Sequence, residues 1–281
     1  MGSSLELALI GSAWHGTGID VVAGMHKAKE LGFDAYDVAE DPLELDDAAR
    51  RAIKEASEEL DLPIRSSICI ALGLVDFTPA VRRFTLERCR AFIDQQAYFG
   101  GRNVLVVAGE YYCDLQVFSA EQIFELVADN IRALAEYAGP AGIELAIELE
   151  PFENAIAGSV QELARLIRRI DHPAVKANAD ISHLHLSGAS FDDVAMLAGA
   201  IGHVHMSDCD GKVHGDLPPG HGVTPIAEYL QAIVDTGFAG TVSIELERSP
   251  HPEQMEELVA DAYRGAAAIM AELGIRAEAL T

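Results

Sequence analysis

Short apolar runs alternate with longer amphipathic segments from one end of the chain to the other. The runs LELALIG (5–11), AYDVA (35–39), IRSSICIA (64–71), NVLVVAG (103–109), ELAIEL (144–149), VKANAD (175–180), IGHVHM (201–206) and GTVSIE (240–245) have strand length and strand composition. Between them lie segments whose apolar residues recur every three and four positions, such as IFELVADNIRALAEYA, VQELARLIRRI, PIAEYLQAIVDT and the final EQMEELVADAYRGAAAIMAEL. Helix boundaries carry chemical signals: Ser119 with Glu121 two residues on, Ser159 before VQELARL, and Gly237 after the last periodic residue of its segment. Eight strands alternating with eight helices imply a parallel sheet, and eight βα units in about 250 residues predict a single (β/α)8 TIM barrel spanning 1–281. A doubly wound open sheet is the competing fold, but strand one ends in IGSAWHGTG, whose glycine spacing is not GxGxxG. No linker or composition shift divides the chain, and RAEALT (276–281) reads as a loosely held tail.

In a barrel of this kind the chemistry sits at the carboxyl ends of the strands. Strand five ends with Glu148 and Glu150 on one face and Glu153 just beyond. Strand six ends in Asp180, with His183 three residues later and His185 after it. Strand seven offers His203, His205 and Asp208, and strand eight offers Glu245 and Glu247. Four successive strands thus deliver a carboxylate, a carboxylate, an imidazole and a carboxylate to one end of the barrel. Buried charges of this kind are costly unless something pairs with them, so the pattern predicts a divalent cation. Three oxygen donors and one imidazole suit Mn²⁺, Mg²⁺ or Co²⁺; Zn²⁺ fits less well because it favours nitrogen and sulfur. His203, one step deeper than His205, reads as a hydrogen-bonded core histidine.

Other candidates lie on the loops. Trp14, the only tryptophan, in SAWHG with His15, reads either as an apolar wall of the pocket or as a packing residue. His214 and His221 lie in the Gly/Pro-rich loop CDGKVHGDLPPGHG; of the two, His221 is the one expected to reach substrate, with a plain surface turn as its alternative. Glu153 is a candidate substrate contact.

Charge narrows the partners. Forty-five acidic against 20 basic residues give a formal charge of −25, which repels phosphate backbones and argues against nucleic acid. Much of this acid lies on a solvated helix face, ELDDAARRAIKEASEELD. The four cysteines (Cys69, Cys89, Cys113, Cys209) form no CxxC pair, which fits a reducing cytoplasm, and no stretch approaches the roughly 20 apolar residues of a membrane span. The opening Met-Gly-Ser-Ser carries no basic-then-apolar signal pattern. The absence of an Arg-rich or Gly-rich phosphate cradle points to a sugar or keto-polyol without phosphate.

The strand-end motifs resemble those of the xylose-isomerase-like superfamily of barrels, which includes sugar-phosphate isomerases and epimerases, ketose 3-epimerases and hydroxypyruvate isomerase. LAIE (145–148) resembles its strand-five motif, NADISH (178–183) the Asp-x-x-His of strand six, GHVH (202–205) the GHxH of strand seven, VSIE (242–245) the terminal Glu of strand eight, and PPGHG (218–222) its PGxG loop. The resemblance implies Glu148, Asp180, His205 and Glu245 as metal ligands, with Glu148 and Glu245 also transferring protons and His183 touching a substrate oxygen. It also implies an isomerase or epimerase working through an enediolate, and barrels of this kind often pair. The ketose 3-epimerase branch usually places an Arg six residues beyond the strand-seven metal His; here that position is Gly211, followed by Lys212. A metal-dependent lyase on the same scaffold, either a dehydratase or a subunit cleaving C-glycosides of 3-keto sugars, starts from the same proton abstraction. An apurinic-site endonuclease is disfavoured by the acidic charge, and a non-catalytic sugar-binding barrel is the last alternative.

Overall fold

A computed structural model describes residues 4–109, 117–247 and 251–276. Met1–Ser3 of the opening tetrapeptide, Cys113 and residues 277–281 of the tail lie outside the described residues. Each apolar run forms a strand: β1 (Glu6–Ile10), β2 (Ala35–Val38), β3 (Ile64–Ile70), β4 (Asn103–Val107), β5 (Glu144–Glu148), β6 (Val175–Asp180), β7 (Ile201–Met206) and β8 (Thr241–Ile244). They pair in chain order, all parallel, and β8 closes on β1.

The helices are α1 (Val21–Leu31), α2 (Asp47–Glu59), α3 (Pro79–Phe99), α4 (Ala120–Ala138), α5 (Val160–Ile170), α6 (Ile181–Leu186), α7 (Ile226–Asp235) and α8 (Met255–Glu272). Their starts follow capping chemistry. Asp20, Asp46 and Ser159 each accept from a backbone N–H three residues on, and Ser119 forms a reciprocal capping box with Gln122. Gln122, rather than Glu121, closes that box because it occupies the third helical position.

The barrel is held between two chemistries. Outward-facing Leu7, Leu9, Val104, Val106, Ile147 and Val242 are buried under the helices, each contributing about 1.5–3 kcal/mol relative to exposure. The inward positions of several strands are polar and stack in tiers. At the amino end, Glu6 accepts from Arg65 (2.8 Å) and Thr241 (2.9 Å). In the middle, Asp37 accepts from the Ser66 amide (2.9 Å) and the Ser243 hydroxyl (2.5 Å) and pairs with His203 Nε2 (2.8 Å). His203 is therefore a hydrogen-bonded core histidine, and its partner reaches it from β2 across the barrel. The third tier, at the carboxyl end, is the site.

Cys69 and Cys89 are buried free thiols with sulfurs 3.6 Å apart, and Cys209 is also free and buried. No described helix is long and apolar enough to cross a membrane.

Candidate metal centre and active site

Strand periodicity places the third tier. The inward positions two residues beyond those of the middle tier are Glu148, Asp180, His205 and Glu245, and one donor atom from each lies within 4.8 Å of the others. All four are buried. His205 Nδ1 sits among carboxylate oxygens at 3.2 Å (Glu148 Oε1), 3.4 Å (Glu245 Oε2) and 4.0 Å (Asp180 Oδ2). It is nevertheless aligned for a hydrogen bond with none of them: His205 Nδ1, Asp180 Oδ2 and Glu245 Oε2 are all buried without a hydrogen-bond partner. Polar atoms this close and this buried are ordinarily paired. Buried donor atoms that crowd one point without hydrogen-bond partners of their own fit a ligand set for a cation.

Asp180 and Glu148 are held by further hydrogen bonds. Asp180 is the N-cap of α6: its Oδ1 accepts from the His183 amide (2.7 Å) and the Ser182 hydroxyl (2.9 Å), which leaves Oδ2 for the centre. Asn178 Nδ2 donates to Glu148 Oε1 at 2.9 Å. The strand ends at Glu148, so the group contains Glu148 and not Glu150, whose backbone N–H has already turned to Ala157 O.

The electrostatics are those of an anionic cage. Burial pushes the Glu245 carboxyl well above the usual carboxylate range; His205 pulls the other way, and Glu148 and Asp180 add to the rise. Burial alone would lower His205, but the Glu245 and Glu148 carboxylates hold it well above the ordinary imidazole value. Asp180 goes down despite its burial, because the His183, His214 and His205 imidazoles stand nearby.

His183 is buried beside this group, with Nδ1 2.7 Å from Leu149 O and Nε2 3.0 Å from His214 Nδ1. The ring of Phe152 covers both imidazoles edge-on at 6.0 and 6.4 Å. A cavity of about 540 Å³ opens beside them, lined by Ser12, His15, Ile70, His214, Asp216 and Glu247 among others. That volume suits a small ligand. A cavity of similar size outside the barrel, about 570 Å³ between the 193–197 turn and α7, includes Asp192, Glu228, Gln231 and Asp235 in its lining and none of the predicted site residues.

Three expected substrate contacts are not brought to this centre. Trp14 is buried with its ring against Gly24 of α1, behind the barrel wall. Glu153 is exposed and lines a separate surface pocket with Glu121 and Arg165. His221 is exposed on its turn. Asp208, offered by strand seven as a further donor, instead closes its own loop, accepting from the amides of Cys209, Gly220, Gly222 and Thr224. Conversely, sequence reasoning passed over Asn178, Asp37 and Asp216. Asp37 carried a usable signal, a carboxylate in the middle of an apolar strand.

The sequence pattern of the xylose isomerase-like TIM barrel family matches residues 25–269. D-psicose 3-epimerase of Ruminiclostridium cellulolyticum is 25% identical over 232 residues, which is 79% of this chain and 76% of that protein. 3-Dehydroshikimate dehydratase of Pseudomonas putida is 25% identical over 227 residues, covering 76% of this chain and 34% of that protein. The crystal structure of the IOLI protein with a bound zinc atom superposes with a TM-score of 0.84 at 17% identity, over 95% of this chain and 99% of that one.

Proposed function

From the premise that the chain belongs to the xylose isomerase-like TIM barrel family and is an enzyme, we propose that it is a divalent-metal-dependent isomerase or epimerase of a ketose or keto-polyol. The observation that carries this reading is the third tier: four buried donors from β5 to β8 that converge on one point, with partnerless atoms on Asp180, His205 and Glu245. Glu148, Asp180, His205 and Glu245 would hold the ion. A bound divalent cation supplies Lewis-acid polarisation of a carbonyl, which acidifies the neighbouring C–H.

The rest is done by the chain's own groups. Glu148 and Glu245 stand on β5 and β8, with the Asp180 and His205 strands between them, so their carboxylates flank a substrate from two sides. One removes the C–H proton and the other returns a proton. Return to the neighbouring carbon isomerises; return to the opposite face of the same carbon epimerises. Asn178 keeps Glu148 oriented, and Phe152 shields the imidazole pair from water. His183 orients a substrate oxygen. Mn²⁺ or Mg²⁺ is the expected ion for this oxygen-rich set, with Co²⁺ and Zn²⁺ as comparators. The cytoplasmic setting and the preference for substrates without phosphate belong to the same reading.

Elimination is the second reading, favoured by the similarity to a 3-dehydroshikimate dehydratase. It begins with the same proton abstraction and differs in losing a β-oxygen.

The test is deuterium wash-in from D₂O across ketoses and 3-keto sugars with Mn²⁺ or Mg²⁺ present, together with calorimetric metal titration. One equivalent of metal and exchange at a carbinol carbon next to a carbonyl are expected. No heat with any of the four ions, or no exchange on any sugar, sinks the reading; a dehydrated product selects the second one.

A further inference from the structure

Away from the barrel mouth, two nucleophilic side chains stand in direct contact. Ser67 of β3 donates to Gln96 of α3 at 2.5 Å, so period two turns Cys69 of the same strand toward the same helix. There it meets Cys89, from the middle of α3. Both thiols are free and buried, with their sulfurs 3.6 Å apart. A disulfide needs about 2.05 Å between sulfurs, so the gap to close from 3.6 Å is about 1.5 Å. Cysteines that face apart cannot be bridged without backbone movement; these two already face each other.

Their surroundings are not those of an inert core thiol. Arg88 donates to Ile70 O (2.7 Å) and pairs with Asp41 (2.6 Å) beside the two sulfurs. Its side chain is 21% exposed, which marks where this seam between sheet and helix meets solvent. A hydrogen bond from Cys69 holds the Cys89 thiol below its ordinary range against burial, and the Arg88 charge adds to that fall. The same hydrogen bond, with burial, pushes Cys69 well above that range. Cys209, by contrast, faces the Thr224 hydroxyl at 3.3 Å. The pair also brackets the stretch in which Leu72, Phe77, Val81 and Phe84 are 37%, 50%, 38% and 57% exposed. Ile70, next to Cys69, lines the cavity at the mouth.

We infer that Cys69 and Cys89 form a peroxide-sensitive modification site, a dithiol that closes to a disulfide tying β3 to α3 and pinning the apolar stretch between them. The co-reactant is hydrogen peroxide, small and uncharged enough to enter the seam. The Cys89 thiolate attacks one peroxide oxygen, the O–O bond breaks, and the departing hydroxide takes a proton to become water. Sulfur is thereby oxidised to a sulfenic acid. Cys69 gives up its proton, attacks the Cys89 sulfur and expels hydroxide, which that proton converts to a second water. Two thiols and one peroxide thus become one disulfide and two waters, and the two electrons lost by sulfur reduce the O–O bond. A dithiol reductant reverses the change by exchange.

The experiment treats the folded protein with hydrogen peroxide in the presence of Mg²⁺ and follows its mass, its non-reducing peptide map and its melting. A loss of two hydrogens, a Cys69–Cys89 cross-linked peptide and a melting temperature higher by roughly 5–10 °C are expected, all reversed by dithiothreitol. Cys69→Ala is expected to leave Cys89 as a sulfenic acid trapped by dimedone, and Cys89→Ala to abolish both cross-link and melting shift. Should either variant fail to fold, the wild-type map and melting shift decide alone. A pair that stays reduced in the folded protein and cross-links only in urea would overturn the inference. So would a bond mapped to Cys113 or Cys209 instead, or an oxidised form that melts no higher than the reduced one.

Discussion

The two halves of the barrel mouth are built by the same strand-and-helix rule and do different work. β5 to β8 carry Glu148, Asp180, His205 and Glu245 at or beside their ends, all at most 7% exposed, with Asn178 anchoring Glu148, and Ser182 and an α6 amide anchoring Asp180. β1 to β3 are followed by Gly11, Ala39 and Ala71, and the end of β3 and the segment after it show apolar side chains to solvent, with Ile70 50% and Leu72 37% exposed. The first half supplies walls and two inward carboxylates: Glu6 at the amino end, and Asp37, which props the second half by holding His203 and Ser243. Chemistry thus occupies one side of a nearly symmetric scaffold because ligands must converge on a point, and neighbouring strand ends do so with the least reach.

Substitutions on the two sides should separate these roles. Glu245→Gln is expected to have the largest effect, lowering turnover by about 10²–10⁴-fold and abolishing the metal-induced rise in thermal stability. For the wild type that rise is roughly 5–10 °C at a hundredfold excess over Kd. The same change should stabilise the metal-free protein. A carboxyl whose folded pKa is raised favours the fold fully below about 4.5 and loses that contribution as pH rises through its higher folded value. His205, also raised, acts in the same direction above about 6.5. Melting scans from pH 5 to 9 should therefore show the metal-free wild type losing stability with rising pH, less steeply in Glu245→Gln, while the gain from Mn²⁺ grows. A metal-free wild type that gains stability toward pH 9 would contradict this.

On the other side, Asp37→Asn leaves His203 without its buried partner and should cost about 3–5 kcal/mol in urea unfolding while one equivalent of metal still binds. Lost stoichiometry would mean that the prop and the ligands are one unit. Asn178→Ala removes the brace on Glu148 and should weaken metal binding by about 10–100-fold in calorimetry, with a smaller change in melting. Ile70→Ser should change stability by less than about 0.5 kcal/mol and leave metal affinity alone; a large loss of affinity there would erase the division between the halves.

Much of this was legible in the linear order of residues. Strands of a parallel barrel are covered by helices on their outer face, so they appear as short apolar runs, and each of the eight runs became a strand. Period two then put Glu148, Asp180, His205 and Glu245 at equivalent depth, which is why four scattered residues could be named as one group. The same periodicity could not choose between Glu148 and Glu150, because it does not say where the strand stops. Nor could it say that the Trp14 ring packs behind the wall, or that Glu153 and His221 face outward, since loops carry no periodicity. The Asp37 prop and the contact of His183 with His214 were invisible for a different reason. They join residues 31 to 206 positions apart whose side chains meet only after the barrel closes.

The order of apolar and polar positions determined by itself that the chain alternates strand and helix and that carboxylates and imidazoles gather at one end. These are one-dimensional facts, because burial and pleating act on each strand locally. Tertiary structure alone decided which oxygen of Asp180 is anchored and which is left for the centre, and that Asn178 holds Glu148. Hydrogen-bond direction depends on angles between distant strands and loops, and no local spacing encodes those angles.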